Sequence, residues 1–259
     1  MMDVQLQSLG KTWPDGTKAL DQVGIVVPAG QFCVLLGHSG AGKSTLLRCV
    51  NGLEVPTSGS VSVGGWAVGP DTLPFLRRRI AMVHQDFRLV PRASVAANVM
   101  AGAAPDLPLW RVLTGLYPKA LRQRACTMLQ AVGLEPAQLG RRAGELSGGQ
   151  QQRLGIARAL MQAPSVLLAD EPVASLDPVT SRKVLGLLRD LARDSGATVL
   201  CSLHQLDLAV DYADQVVALH RGRVIFDGPP AALDERQLAV IYPKSQPAMP
   251  ALVDRKVAG

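Results

Sequence analysis

Aromatic residues are scarce. Phe, Trp and Tyr make up 4% of the 259 residues, so Leu, Val and Ala must fill most of any interior. Paired cysteines are lacking as well. Cys33, Cys49, Cys126 and Cys201 form no CxxC motif and have no histidine at zinc spacing, which argues against a disulfide framework and for a reducing compartment. Three of them lie in the apolar stretches FCVLL, LRCVN and TVLCSL, where a small buried thiol is expected. The N-terminal stretch MMDVQLQSLGK has no apolar core of signal-peptide length, and no run approaches the roughly 18 apolar residues of a bilayer-spanning helix. A cytosolic protein is expected, with any membrane contact made through a partner.

A hydrophobic share of 47% against 19% charged residues excludes a disordered chain. The length suits one large α/β domain, or a core with a smaller insert. A formal net charge of +6 suits anionic partners, whether nucleotides, acidic lipid headgroups or nucleic acid, without choosing among them.

Along the chain, residues 3–13 and 23–27 read as strands parted by a turn at Asp15-Gly16. Phe32–Leu36 is a continuous apolar run, as expected of a buried parallel strand. Ser44–Asn51 reads as a helix, Ser60–Val63 and Gly65–Val68 as a small antiparallel pair, and Ile80–Val83 as a strand. Residues 91–145 carry Pro91, Pro105, Pro108 and Pro118 and helical stretches such as Lys119–Val132, and read as a mostly helical insert. Alternation then resumes with helix 149–162, strand 166–170, helix 178–194, strand 197–203 and helix 206–213. Asp177-Pro178 predicts a capped helix start. Val216–Leu219 and Val224–Phe226 predict a hairpin, and the tail from Tyr242 is expected to be loosely ordered. Strands alternating with helices predict a parallel sheet covered on both faces.

Gly37-His38-Ser39-Gly40-Ala41-Gly42-Lys43-Ser44 fits the P-loop pattern G-x4-G-K-S between a strand and a helix. Its glycines let backbone N–H groups curl toward phosphate oxygens, and the following helix adds its positive end. Gly37, Ser39, Gly40, Ala41, Gly42, Lys43, Ser44 and Thr45 are the candidate nucleotide-binding residues. Lys43 can reach the β- and γ-phosphates, and Ser44 can ligate Mg²⁺. Val166-Leu167-Leu168-Ala169-Asp170-Glu171 reads as a buried strand delivering two acids to its C-terminal edge, where open α/β sheets bind ligands. Asp170 is the expected partner of Mg²⁺, and Glu171 the group that orients and deprotonates water.

Leu146-Ser147-Gly148-Gly149-Gln150 resembles the LSGGQ signature of ABC ATPases. The chain, over about residues 3–240, resembles the ATP-binding subunits of ABC transporters. The resemblance implies a P-loop NTPase (RecA-like) core with an antiparallel β subdomain and an α-helical insert, the core spanning about 1–90 and 145–240, the insert about 91–145, and a tail over 241–259. It implies that Ser147, Gly148, Gly149 and Gln150 cap the nucleotide held by a second protomer, in a head-to-tail homodimer. Gln85 matches the Q-loop glutamine, a candidate for Mg²⁺ and water contact. Asp177, in Ser175-Leu176-Asp177, matches the D-loop, and His204 the switch histidine that contacts the γ-phosphate. Trp13 stands where the family has an aromatic that stacks on adenine. Each of these residues alone would suit a packing or capping role; their shared order reverses that reading. His38, His84 and His220 match no functional position, and Arg77-Arg78-Arg79 and Arg141-Arg142 read most simply as solvated faces, with subunit docking or lipid contact as the other options.

Within the family, MVHQDFRLVPRASVAANV, LADEPVASLDP, SLHQLDLAVDYADQVVAL and PLWRVLTGLYP resemble ATPase subunits of phosphonate importers. That likeness implies ATP hydrolysis with Mg²⁺, transmembrane permease subunits as partners, and indirect service to a periplasmic or extracellular solute-binding protein. It places the chain peripherally on the cytoplasmic side of the membrane, with no nucleic acid partner. Two other readings are an ATPase of an exporter or envelope complex, and a soluble ABC ATPase acting on nucleic acid or ribosomes. A single P-loop, a single signature, no sustained heptads and no zinc spacing argue against the latter.

Overall fold

The apolar runs of the sequence become the inner strands of a sheet buried on both faces. The computed structural model describes residues 1–241, so the tail from Tyr242 lies outside the described residues. The chain order is β1 (Val4–Thr12), β2 (Lys18–Val27), β3 (Phe32–Leu36), α1 (Lys43–Val50), β4 (Ser58–Val63), β5 (Trp66–Ala67), α2 (Leu73–Leu76) and β6 (Ile80–Val83). Next come α3 (Val95–Ala101), α4 (Leu109–Thr114), α5 (Lys119–Ala131), α6 (Gly148–Met161), β7 (Val166–Asp170), α7 (Pro178–Ser195) and β8 (Thr198–Ser202). The described chain closes with α8 (Leu206–Tyr212), β9 (Gln215–His220), β10 (Arg223–Gly228) and α9 (Glu235–Ile241).

Six strands form one sheet in the order β10-β9-β3-β8-β7-β6, parallel except for the β10 edge. Side chains alternate between its faces. Phe32, Val34, Leu36, Leu167, Ala169, Val199 and Cys201 point into a core shared with α6, α7 and α8 and with α3 and α5 of the helical segment. Cys33, Leu35, Val166, Leu168, Leu200, Val217 and Leu219 point the other way, into a core shared with α1 and the inner faces of β1, β2 and β4. Two covered faces explain why these strands read as unbroken apolar runs. The second sheet, β2-β1-β4-β5, is antiparallel.

β2 begins at Lys18, five residues before the stretch expected at 23–27. Its first half pairs with β1 through register shifts between Leu6 and Leu9, Leu9 and Lys11, and Lys11 and Thr12. Such shifts break the two-residue alternation by which a strand is recognised. The helical segment meets the core through α3 and α5 against α6. At Gly102, just past α3, an added Cβ would stand 2.0 Å from the Arg158 carbonyl oxygen of α6, so the crossing requires glycine.

β3 is the pivot of the sheet. The chain leaves it for the β6 edge, returns through β7 and β8 on one side, and places β9 on the other. Ligands of open α/β sheets bind beyond the strand ends at such a reversal. The loop Gly37–Gly42 and the acids Asp170 and Glu171 both lie there.

Candidate functional site

The loop after β3 turns into α1 through Gly42, whose φ of 106° suits glycine, and where an added Cβ would meet the Ala19 carbonyl oxygen at 2.5 Å. No side chain caps α1, so its first N–H groups are left to an incoming anion. Ser39 and Gly40 are exposed at the loop tip, whereas Lys43 is 4% exposed. The Lys43 ammonium folds back on its own loop, donating to the carbonyls of Gly37 at 2.7 Å and His38 at 3.1 Å. Burial lowers its pKa, and the nearby charges of Glu171 and Asp170 oppose that shift. A buried ammonium beside open helix N–H groups is a fit for phosphate.

Ser44, on the first turn of α1, donates its hydroxyl to Asp170 Oδ1 at 2.9 Å. Asp170 ends β7, is 2% exposed, and lies in register with Ser202 of β8. Ser202 donates to the same Oδ1 at 2.9 Å and accepts from the Glu171 N–H at 2.9 Å. Glu171 has a φ of 51°, a left-handed conformation uncommon for a residue with a side chain. Its Oε2 accepts from Gln85 Nε2 at 3.1 Å, and its Oε1 meets His204 Nε2 at 2.5 Å.

The structure thus joins Glu171, Gln85 and His204 directly. It also joins Asp170 to Ser44, and sets Lys43 within electrostatic reach of both acids. Hydroxyl, carboxylate and amide oxygens are the hard donors that suit Mg²⁺. Among the described residues, no group of three or more His, Cys, Asp or Glu could hold a metal unaided.

Ser147 caps α6. Its hydroxyl accepts from the Gln150 N–H at 3.3 Å, and Gln150 Oε1 accepts from the Ser147 N–H at 3.0 Å. Ser147 and Gly148 are exposed, and Gly149 packs near Leu176. Asp177 caps α7, accepting from the N–H groups of Val179 at 3.1 Å and Thr180 at 3.0 Å. Its bonding to Thr180, then to Val179, holds its carboxyl below the ordinary value. Trp13 follows β1, half-buried, with Lys11 Nζ 4.8 Å from its ring centroid. A flat base stacking on Trp13 would have to use the opposite ring face or displace Lys11.

Three residues that hold the site together were not foreseen. Gln152 of α6, 2% exposed, donates to the Glu171 carbonyl at 3.0 Å and accepts from the Ser175 N–H at 3.2 Å. Arg158, also of α6, donates to the carbonyls of Phe87 at 2.7 Å and Arg88 at 2.6 Å, both in left-handed conformation. Ser202 is the third. Ser202 is marked only as a polar residue in the apolar stretch TVLCSL, whereas Gln152 is the last of three glutamines in a polar run and Arg158 lies further along the same helix.

A family model described as ABC transporter matches residues 20–174. The chain is 53% identical over 228 residues to the phosphonates import ATP-binding protein of Hyphomonas neptunium, covering 88% of this chain and 87% of that one. It is 50% identical over 227 residues to the protein of the same name from Hydrogenovibrio crunogenus, covering 88% and 84%. Among solved structures, a dimeric bacterial ABC transporter cassette superposes with a TM-score of 0.80 at 31% identity, covering 89% of this chain and 100% of that one. A dimeric ATP-binding cassette in a post-hydrolysis state with ADP and Pi superposes at 0.78 and 33% identity, with the same coverage.

Proposed function

Because the chain belongs to the ABC transporter family, we propose that it hydrolyses ATP to energise an importer of phosphonates or related phosphorus oxyanions. The observation that carries the catalytic part is the Glu171 carboxylate, fixed between Gln85 and His204 beside the Ser44–Asp170 pair. The names of the relatives supply the solute.

In this reading Lys43 exchanges the Gly37 and His38 carbonyls for β- and γ-phosphate oxygens, keeping a hydrogen-bonded ammonium throughout. The N–H groups of Gly40–Thr45 and the N-terminus of α1 hold the remaining phosphate charge. Glu171 takes a proton from the attacking water as general base. Gln85 and His204, which bind its two oxygens here, orient that water and the γ-phosphate once substrate is present. Ser44, Asp170 and Gln85 would hold Mg²⁺, which neutralises charge on the phosphates. Trp13 stacks on the adenine, and Asp177 lies at the protomer interface. Catalysis is positioning plus electrostatics.

Ser147, Gly148, Gly149 and Gln150 act on the nucleotide of a second copy, in a head-to-tail homodimer. No helix among the described residues is long and apolar enough to cross a membrane. In this reading the path through the membrane belongs to separate permease subunits. The helical segment receives their cytoplasmic helices. Leu109, Trp110, Leu113 and Leu116 of this segment are exposed, an apolar surface suited to a partner. In this reading the chain is peripheral on the cytoplasmic side, and a solute-binding protein on the far side is served indirectly. The test is Mg²⁺-dependent phosphate release from ATP by the purified chain. Absence of release from both the chain alone and its complex with permease would sink the reading.

A further inference from the structure

The hydroxyl of Ser202 is fully buried, at 0% exposure, and touches both consecutive acids of the site. It donates to Asp170 Oδ1 and accepts from the Glu171 N–H, each at 2.9 Å. A serine at the end of a buried strand needs only one partner to be satisfied. Here the parallel register of Asp170 with Ser202 aims the hydroxyl at the peptide unit joining the two acids.

Two degrees of freedom are removed. The Asp170 carboxylate is pinned between the hydroxyls of Ser44 and Ser202, which share Oδ1 as acceptor. The Glu171 backbone, at φ 51°, is pinned at its N–H by Ser202 and at its carbonyl by Gln152. A left-handed residue with a side chain persists where its surroundings over-determine it. That backbone direction carries the Glu171 side chain in between Gln85 and His204. His204 follows Ser202 by two residues, so the same strand end supplies the pin and one of the carboxylate's partners.

We propose that Ser202 is a positioning residue for hydrolysis, one hydroxyl that sets the Asp170 carboxylate for its cation and the Glu171 carboxylate for water. The proposal rests on the roles given above to Asp170 and Glu171. It takes no part in proton transfer, since its hydrogen bonds go to groups that do not react.

The experiment compares Ser202→Ala and Ser202→Thr with the parent, and with Asp170→Asn and Glu171→Gln as controls for the site itself. Thermal unfolding, ATP binding against Mg²⁺ concentration, and steady-state kcat and KM are measured on each. Ser202→Ala should fold and lower kcat by about 10–100-fold, the usual loss when a group orienting a metal ligand is removed. KM should stay within about threefold of the parent, because ground-state binding of ATP is retained. The Mg²⁺ concentration for half-maximal ATP binding should rise. Ser202→Thr, which restores the hydroxyl, should recover most of both; should its extra methyl unfold the chain, the Mg²⁺ dependence of Ser202→Ala decides alone. A loss confined to unfolding temperature, with kcat and Mg²⁺ dependence unchanged, overturns the proposal and leaves Ser202 a satisfied core serine. Normal turnover in the Asp170 and Glu171 controls overturns the site reading, and the Ser202 proposal with it.

Discussion

Gln85 donates its side-chain amide to Glu171 Oε2 at 3.1 Å, joining the segment after β6 to the end of β7. The two residues are 86 apart in sequence, and His204 holds the other oxygen of the same carboxylate. Both oxygens of the proposed base are thus engaged. Gln85 is followed by Phe87 and Arg88, whose carbonyls Arg158 ties to α6, the helix that Ser147 caps. The proposed base is therefore linked, through Gln85, the chain to Arg88 and the Arg158 bonds, to the helix that Ser147 caps.

Replacing Glu171 by Gln keeps the size of the side chain but removes its capacity to take a proton. Turnover should fall by about 10²–10⁴-fold, the ordinary contribution of a general base. Lys43, Ser44 and Asp170 are untouched, so ATP should still bind and hold two protomers together. Size-exclusion chromatography with ATP, alongside a phosphate-release assay, checks both halves. A variant that stays monomeric, or hydrolyses at the parent rate, contradicts the assignment.

Arg158 is the larger structural investment. Arg158→Met retains much of the stem but leaves the Phe87 and Arg88 carbonyls without their partner. Hydrogen bonds to a charged group are worth about 1.5–3 kcal/mol, and a loss of that order is expected in urea unfolding. Unchanged stability with unchanged turnover would show that the loop holds its left-handed residues unaided.

Much of this was legible beforehand because it is contiguous. Gly37–Ser44, Val166–Glu171 and Leu146–Gln150 each carry their chemistry within one turn or one strand end, and the strands beside them are apolar runs. What was hidden depends on sheet order. Ser202 meets Asp170 because β7 and β8 are parallel neighbours in one register, and nothing near Ser202 in the chain states that pairing. Gln152 reaches Glu171 because α6 packs against the sheet at β6, the neighbour of β7. The early part of β2 escaped for a different reason, since Lys18, Gln22 and the bulged partner strand mask its alternation.

The trans role of Ser147 has a mixing test. Lys43→Ala and Ser147→Arg should each be inactive alone, every homodimer having two damaged sites. Mixed heterodimers combine the intact loop of one protomer with the intact signature of the other, and should regain one working site. If heterodimers form and recover nothing, the head-to-tail arrangement is wrong.

Trp13→Ala should weaken nucleotide binding by on the order of 1–3 kcal/mol, the scale of base–aromatic stacking. ATP and GTP should bind the parent similarly, since stacking reads little of a base's edge. Fluorescence titration decides the matter. An unaltered affinity would leave Trp13 as the half-buried partner of Lys11.

The solute is the step furthest from the catalytic chemistry, because it never touches this subunit. Under the proposed function, the chain would select the permease it drives through Gln85–Val99 and Leu107–Pro118. In the second of these stretches Leu109, Trp110, Leu113 and Leu116 are 71%, 53%, 76% and 64% exposed. Four large apolar side chains left to solvent within eight residues are costly unless covered in the assembled transporter. The relatives named for phosphonates import align over 88% of the chain, a span that takes in most of the described residues. Deleting the gene should therefore abolish growth on a phosphonate as sole phosphorus source. The wild-type gene should restore it, and the Glu171→Gln variant should not, because docking without hydrolysis moves nothing. A deletion strain that grows normally there, with no second ATPase able to substitute, and that loses uptake of an amino acid or metal instead, would overturn the solute and leave the ATPase chemistry standing.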